Sequence, residues 1–98
     1  MNVQRTIFVE CRQWFDKLNG NTYYSNRIWV DGDVWKIQDM TYGYETAYVH
    51  GAIKELIDGN VLSIATANPY TIRQAGIDFY HTAHFVRKSE LFKKGVHA

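Results

Sequence analysis

The chain has 98 residues, 46% apolar, 15% aromatic and 21% charged, with eleven Lys and Arg against ten Asp and Glu. That balance describes a single domain over residues 1–98 with one core, and ordinary apolar content at a net charge of +1 argues against intrinsic disorder. One cysteine excludes a disulfide scaffold, no apolar run reaches the ~18–20 residues that span a bilayer, and Met1 to Thr6 lacks a signal-peptide core, so a soluble cytoplasmic protein is expected.

Taken in order, Thr6 to Phe15 is β-branched and aromatic without a helical stripe, and reads as a strand. Asn19-Gly20 tolerates the positive φ of a type I′ turn, so Thr22 to Val30 reads as its hairpin partner. Asp31-Gly32 is a second tight turn, and Asp33 to Met40 completes a three-stranded antiparallel meander. The period then changes. Apolar residues at Tyr48, Val49, Ala52, Ile53, Leu56 and Ile57 predict an amphipathic helix, with Gly59 as its C′ residue. Tyr42 and Tyr44 flank Gly43, which suggests positive φ or a close approach, with the rings stapled onto Tyr48.

Val61 to Ala67 is short and apolar and fits no single assignment. Asn68 before Pro69 reads as an N-cap with proline at N1, opening a short helix to Ala75 that stops at Gly76. Ile77 to about Thr82 reads as a fourth strand. Ser89 caps a last turn through Phe92, and 87–98 reads as a basic flexible tail. The fold class is α+β, an antiparallel sheet with the helices on one face.

Two-residue loops at both turns would set Arg12 opposite Arg27 and Cys11 opposite Ile28, then Ile28 opposite Trp35 and Arg27 opposite Lys36. One face would gather Ile7, Val9, Cys11, Phe15, Tyr24, Ile28, Val30, Trp35 and Ile37 beneath the helix. The other would carry Arg12, Arg27 and Lys36 in a row, with Trp14 and Trp29 diagonal to it and Phe8 nearby. Like charges opposite one another on a sheet are destabilising, so something must offset the row. Either Glu10 and Asp16 neutralise it on an ordinary solvated face, or Arg12, Trp14, Arg27, Trp29 and Lys36 form a binding patch, with Arg87 and Lys88 as further anion contacts. A bulged turn would shuffle the row.

Catalytic chemistry finds little support. His81 and His84 could share a metal only on a helix, and Cys11 sits among strand residues that predict a buried thiol. No phosphate loop, carboxylate pair or cofactor motif is present, so an enzyme, a cofactor and a metal site are not expected.

The runs Trp14-Phe15-Asp16-Lys17, Asn19-Gly20-Asn21-Thr22-Tyr23, Thr41-Tyr42-Gly43-Tyr44 and Arg87-Lys88-Ser89-Glu90-Leu91 resemble small proteins of similar length encoded by tailed bacteriophages and prophages. That resemblance implies a compact α+β domain acting in the bacterial cytoplasm. It further implies a non-enzymatic accessory binder that inhibits or redirects a host bacterial factor, defence systems included. A nucleic-acid or nucleotide binder using the same basic-aromatic face is the alternative, and a homodimer would cover so aromatic a face.

Overall fold

A computed structural model describes residues 5–94. Three strands, β1 (Thr6–Asp16), β2 (Asn21–Val30) and β3 (Asp33–Tyr42), form the expected meander. Helix α1 (Ala47–Asp58) and the short α2 (Pro69–Gln74) follow, then β4 (Asp78–Phe85). Single 3₁₀ turns occupy Ile64–Thr66, within the segment that carried no assignment, and Lys88–Glu90. The sheet order is β3-β2-β1-β4.

The α+β class therefore holds, but the sheet is mixed. β4 lies parallel to β1, from Thr6 opposite Asp78 to Gln13 opposite Phe85. A parallel neighbour requires a long crossover, which here is supplied by the helical segment between β3 and β4. No described helix is long and apolar enough to cross a membrane.

α1 forms because its apolar positions recur at helical spacing, and Tyr48, Val49, Ala52, Ile53 and Leu56 are all buried. They join Ile7, Val9, Cys11, Tyr24, Ile28 and Phe79 of the sheet and Ile72 of α2 in one core. Asn68 caps α2 by accepting from the Thr71 amide at 2.9 Å, with Pro69 at the start as expected.

The two hairpins behave differently. Asp31 and Gly32 take φ of 52° and 90°, the two-residue turn expected. At the first, Asp16 captures the chain: its carboxylate accepts from the Leu18 amide (3.0 Å) and the Asn19 side chain (2.8 Å), while its carbonyl accepts from Gly20 (2.8 Å). The loop becomes 17–20, closed by Gly20 at φ 70°. β1 and β2 consequently slide by two positions from the expected register. Phe15 meets Thr22, Cys11 meets Asn26, and Arg12 meets Ser25. A shift of two keeps every side chain on its expected face. Phe15, expected in the core, lies past the helix layer and is 46% exposed.

Between β2 and β3 the register slips at Ile28/Trp29 and again at Tyr24/Asn26. The first slip leaves Trp35 as an extra residue beside Lys36, and a one-residue insertion reverses the faces beyond it. The missing side chain of Gly59 makes room for the Trp35 ring: a Cβ built there would lie 2.5 Å from its Cζ2. Gly59 takes φ −87°, so close approach rather than the expected left-handed C′ conformation places a glycine at the end of α1.

Candidate binding face

Across the sheet face turned away from the helices, cross-strand neighbours form four rows. The first runs Tyr80, Phe8, Trp29, Val34, and the second Thr82, Glu10, Arg27, Ile37. The third holds His84, Arg12 and Ser25, and the fourth Trp14, Tyr23 and Tyr42.

The expected cation row does not exist in this register. Arg27 stands opposite Glu10, and its Nε donates to Glu10 Oε1 at 2.8 Å. Trp29 Nε1 donates to the same oxygen at 3.2 Å. Burial pushes the Glu10 carboxyl up, but the hydrogen bonds from Arg27 and Trp29 and the charges of Arg27 and Arg12 outweigh it and hold the acid below its ordinary value. Glu10 therefore neutralises the face, whereas Asp16, the other candidate, is occupied in the turn.

Lys36 leaves the patch altogether. The Trp35 bulge turns it to the helix side opposite Ile28, where Nζ binds Glu55 of α1 at 2.6 Å. Ile37 moves the other way, out of the expected core and opposite Arg27.

The segment expected as a basic tail covers the middle of this face. After β4, residues 86–94 return across the sheet as a strap, whereas residues 95–98 of the expected tail lie outside the described part. Phe92 is 6% exposed, and its ring takes the guanidinium of Arg12 at 4.3 Å and that of Arg27 at 4.7 Å. The Phe92 amide donates to the buried Ser25 hydroxyl at 2.8 Å, and Arg12 Nη1 donates to the Glu90 carbonyl at 2.9 Å. At its far end the Lys94 amide donates to Asp39 Oδ1 at 2.6 Å. Ile37, Leu91 and Phe92 are buried without belonging to the core beneath the helices. Arg12 and Arg27 are thus structural cations that clamp the strap.

Two aromatic regions lie on either side of the Phe92 anchor. On one side, the Tyr80, Phe8, Trp29, Val34 row crosses all four strands without a charged member, and Tyr80 is 56% exposed. On the other, Trp14 stacks on Tyr23 at 5.7 Å and Tyr23 meets Tyr42 edge-on at 5.8 Å. Lys88 Nζ sits 5.2 Å from the Trp14 ring. Arg87 is highly exposed and paired at 3.4 Å with Glu90. Beside the strap, Met40, Leu91 and Phe92 line an open cleft of about 650 Å³, with Lys88, Lys93 and Lys94 also in its lining.

His81 and Cys11 serve packing. His81 and His84 lie on opposite faces of β4: His81 Nδ1 pairs with the Tyr48 hydroxyl at 2.8 Å, while His84 is exposed beside Arg12. Desolvation, then the charge of Arg73, lowers the His81 pKa. Burial pushes the Cys11 thiol up to about 12, which keeps it protonated and unreactive.

Phe8, Trp14 and Trp29 take the face the alternation assigned to them. Tyr80, Val34, Ser25 and Phe92 were missed. An adjacent Leu91-Phe92 pair after a charged run is an anchoring signal, but the positions of Tyr80 and Val34 depend on a parallel pairing and a bulge that no local pattern announces. Comparison with known proteins adds no relative: no family model, no curated protein and no solved structure matches the chain.

Proposed function

We propose that this chain is a small non-catalytic binding module of the phage accessory type, which acts stoichiometrically on a host bacterial protein, defence factors included. The observation that carries this reading is the uncharged row Tyr80, Phe8, Trp29, Val34, which crosses four strands and is left outside the strap. Large rings on a rigid sheet are the side chains that dominate protein interfaces, because they bury much area at little entropic cost. Trp14, also a member of the patch first expected, stands on the far side of the strap. Arg12 and Arg27 support the surface from within, and Lys36 plays no part in it.

A photo-reactive residue at position 80 tests the assignment against the same residue at position 54, on the exposed side of α1. In bacterial lysate, one protein cross-linked from 80 and absent from 54 supports it, provided that Trp29→Ala abolishes capture while the far-UV circular dichroism is unchanged. Identical products from both positions, or capture indifferent to Trp29→Ala, refutes it.

A second reading rests on the opposite end of the face. Lys88 over Trp14, with exposed Arg87 beside it, provides a stacking ring next to cations, which is the grip used for nucleotides and single strands. Binding of a single-stranded oligonucleotide or a nucleotide that collapses between low and moderate salt, and that vanishes in Trp14→Ala, would favour it. Absence of such binding leaves the protein partner.

A further inference from the structure

We propose that the free edge of β4 pairs with β4 of a second copy of this chain, antiparallel about a twofold axis through Ala83, so that two four-stranded sheets become one. The proposal concerns the sheet edge and is independent of what docks on the outer face.

The backbone sets the pattern. The Asp78 amide donates to the Arg5 carbonyl at 2.9 Å and the Val86 amide to the Gln13 carbonyl at 2.7 Å. A parallel ladder repeats every two residues, so the even-numbered residues of β4 face β1, and the N–H and C=O groups of Phe79, His81, Ala83 and Phe85 point outward. Arg73 Nη2 covers the Phe79 carbonyl at 3.2 Å. Among the described residues, nothing meets the outward backbone groups of His81, Ala83 and Phe85.

Proteins guard such edges with lysine, proline, inward charges or bulges. The opposite edge, β3, is guarded: it carries both register slips along with Asp33, Lys36 and Asp39. β4 has no such device from Phe79 to Phe85, and its pairing with β1 runs without a slip. Phe85, at its end, is 69% exposed.

A second copy fits this edge because His81, Ala83 and Phe85, whose outward N–H and C=O are both unmet, are symmetric about Ala83. Antiparallel pairing there sets His81 against Phe85 of the second copy, Ala83 against Ala83, and Phe85 against His81, each pair exchanging both backbone bonds. The outward groups of these three residues are then satisfied, and only the Phe79 N–H, beside the carbonyl that Arg73 covers, stays outside the pairing. The small Ala83 side chain lies on the dyad, Thr82 faces His84 across the outer side, and each exposed Phe85 ring gains a histidine ring as neighbour. Helix α2 contacts β4, and Arg73 ties it to the Phe79 end. Antiparallel pairing sends the two copies of that end in opposite directions, so the helices do not collide.

Light scattering on the full chain at tens of micromolar should give twice the 11.4 kDa chain mass. Ala83→Pro removes an outward N–H that β1 does not use, and should return the mass to that of one chain with the circular dichroism retained. Ala83→Cys should cross-link to a covalent dimer under mild oxidation, because a hydrogen-bonded antiparallel pair holds its Cα atoms about 5.5 Å apart, within disulfide reach. The buried Cys11 stays silent in that assay. If Ala83→Pro fails to fold, the cross-link alone decides. A single-chain mass for the unmodified protein, a dimer that survives Ala83→Pro, or an Ala83→Cys chain that does not cross-link overturns the proposal.

Discussion

Replacing Phe92 by alanine isolates what holds the strap on the sheet. The ring is 6% exposed, lies under two guanidiniums at 4.3 and 4.7 Å, and stands beside a buried amide-to-hydroxyl bond. Truncating a buried Phe costs about 3–5 kcal/mol where the cavity cannot close. The strap lies at the molecular surface and can settle, so the low end, about 3 kcal/mol, is expected, with the two cation contacts included in that loss. At about 1.4 kcal/mol per factor of ten, the undocked population rises roughly a hundredfold. Arg87, Lys88, Lys93 and Lys94 are tryptic sites within the strap, and a protease reads the population of the locally open form when reclosing is fast. Limited trypsinolysis at neutral pH should therefore cut Phe92→Ala within 87–94 about a hundred times faster, while cleavage at Lys54 on α1 stays slow. An acceleration below about threefold would refute the inference that Phe92 anchors the strap, as would equal acceleration at Lys54, which would report global unfolding instead.

Three further outcomes follow from the described contacts. Gly59→Leu drives a side chain into the Trp35 ring and should cost about 1–3 kcal/mol in urea denaturation, with a changed tryptophan emission spectrum. Glu10 has a folded pKa below its ordinary 4.5, so its contribution to stability is present above that value and is lost as pH falls through the folded value; Glu10→Gln should flatten the acid limb of the stability-pH profile in this window. Cys11, pushed up to about 12, stays a protonated, buried thiol at about pH 8 and should resist maleimide until urea unfolds the chain and labelling becomes complete.

What could be read from the sequence were the features decided by nearest neighbours along the chain. The helical spacing of α1, the Asn68-Pro69 opening of α2 and the Asp31-Gly32 turn each depend on a few adjacent residues, and each stands where expected. Asn19-Gly20 was misread because the Asp16 carboxylate, three residues upstream of Asn19, organises the loop. That side-chain competitor is visible in the sequence once Asx capping is weighed against turn propensity. The Trp35 bulge was not legible, since the ring fits where Gly59 has no side chain, a contact between residues far apart along the chain. Its effect on the candidate patch was large, moving Lys36 to Glu55 and Ile37 to the outer face. The patch therefore survives in its rings and loses its cations: Phe8, Trp14 and Trp29 keep their face, whereas Arg12 and Arg27 are engaged by Glu90, Glu10 and Phe92.

The parallel seam between β1 and β4 also sets an order of events during synthesis. β1 is made early and finds β2 at once across a short loop, but its other edge is completed only when residues 78–85 have left the ribosome. Until then a nascent meander displays the unpaired backbone edge of β1, and its core lacks the Phe79 ring. Closing that seam brings together segments separated by β2, β3 and both helices, a non-local step that slows folding compared with the hairpins. A chain stalled before residue 78 should therefore be the species most in need of a chaperone, and release of the last strand should be the moment at which it no longer is.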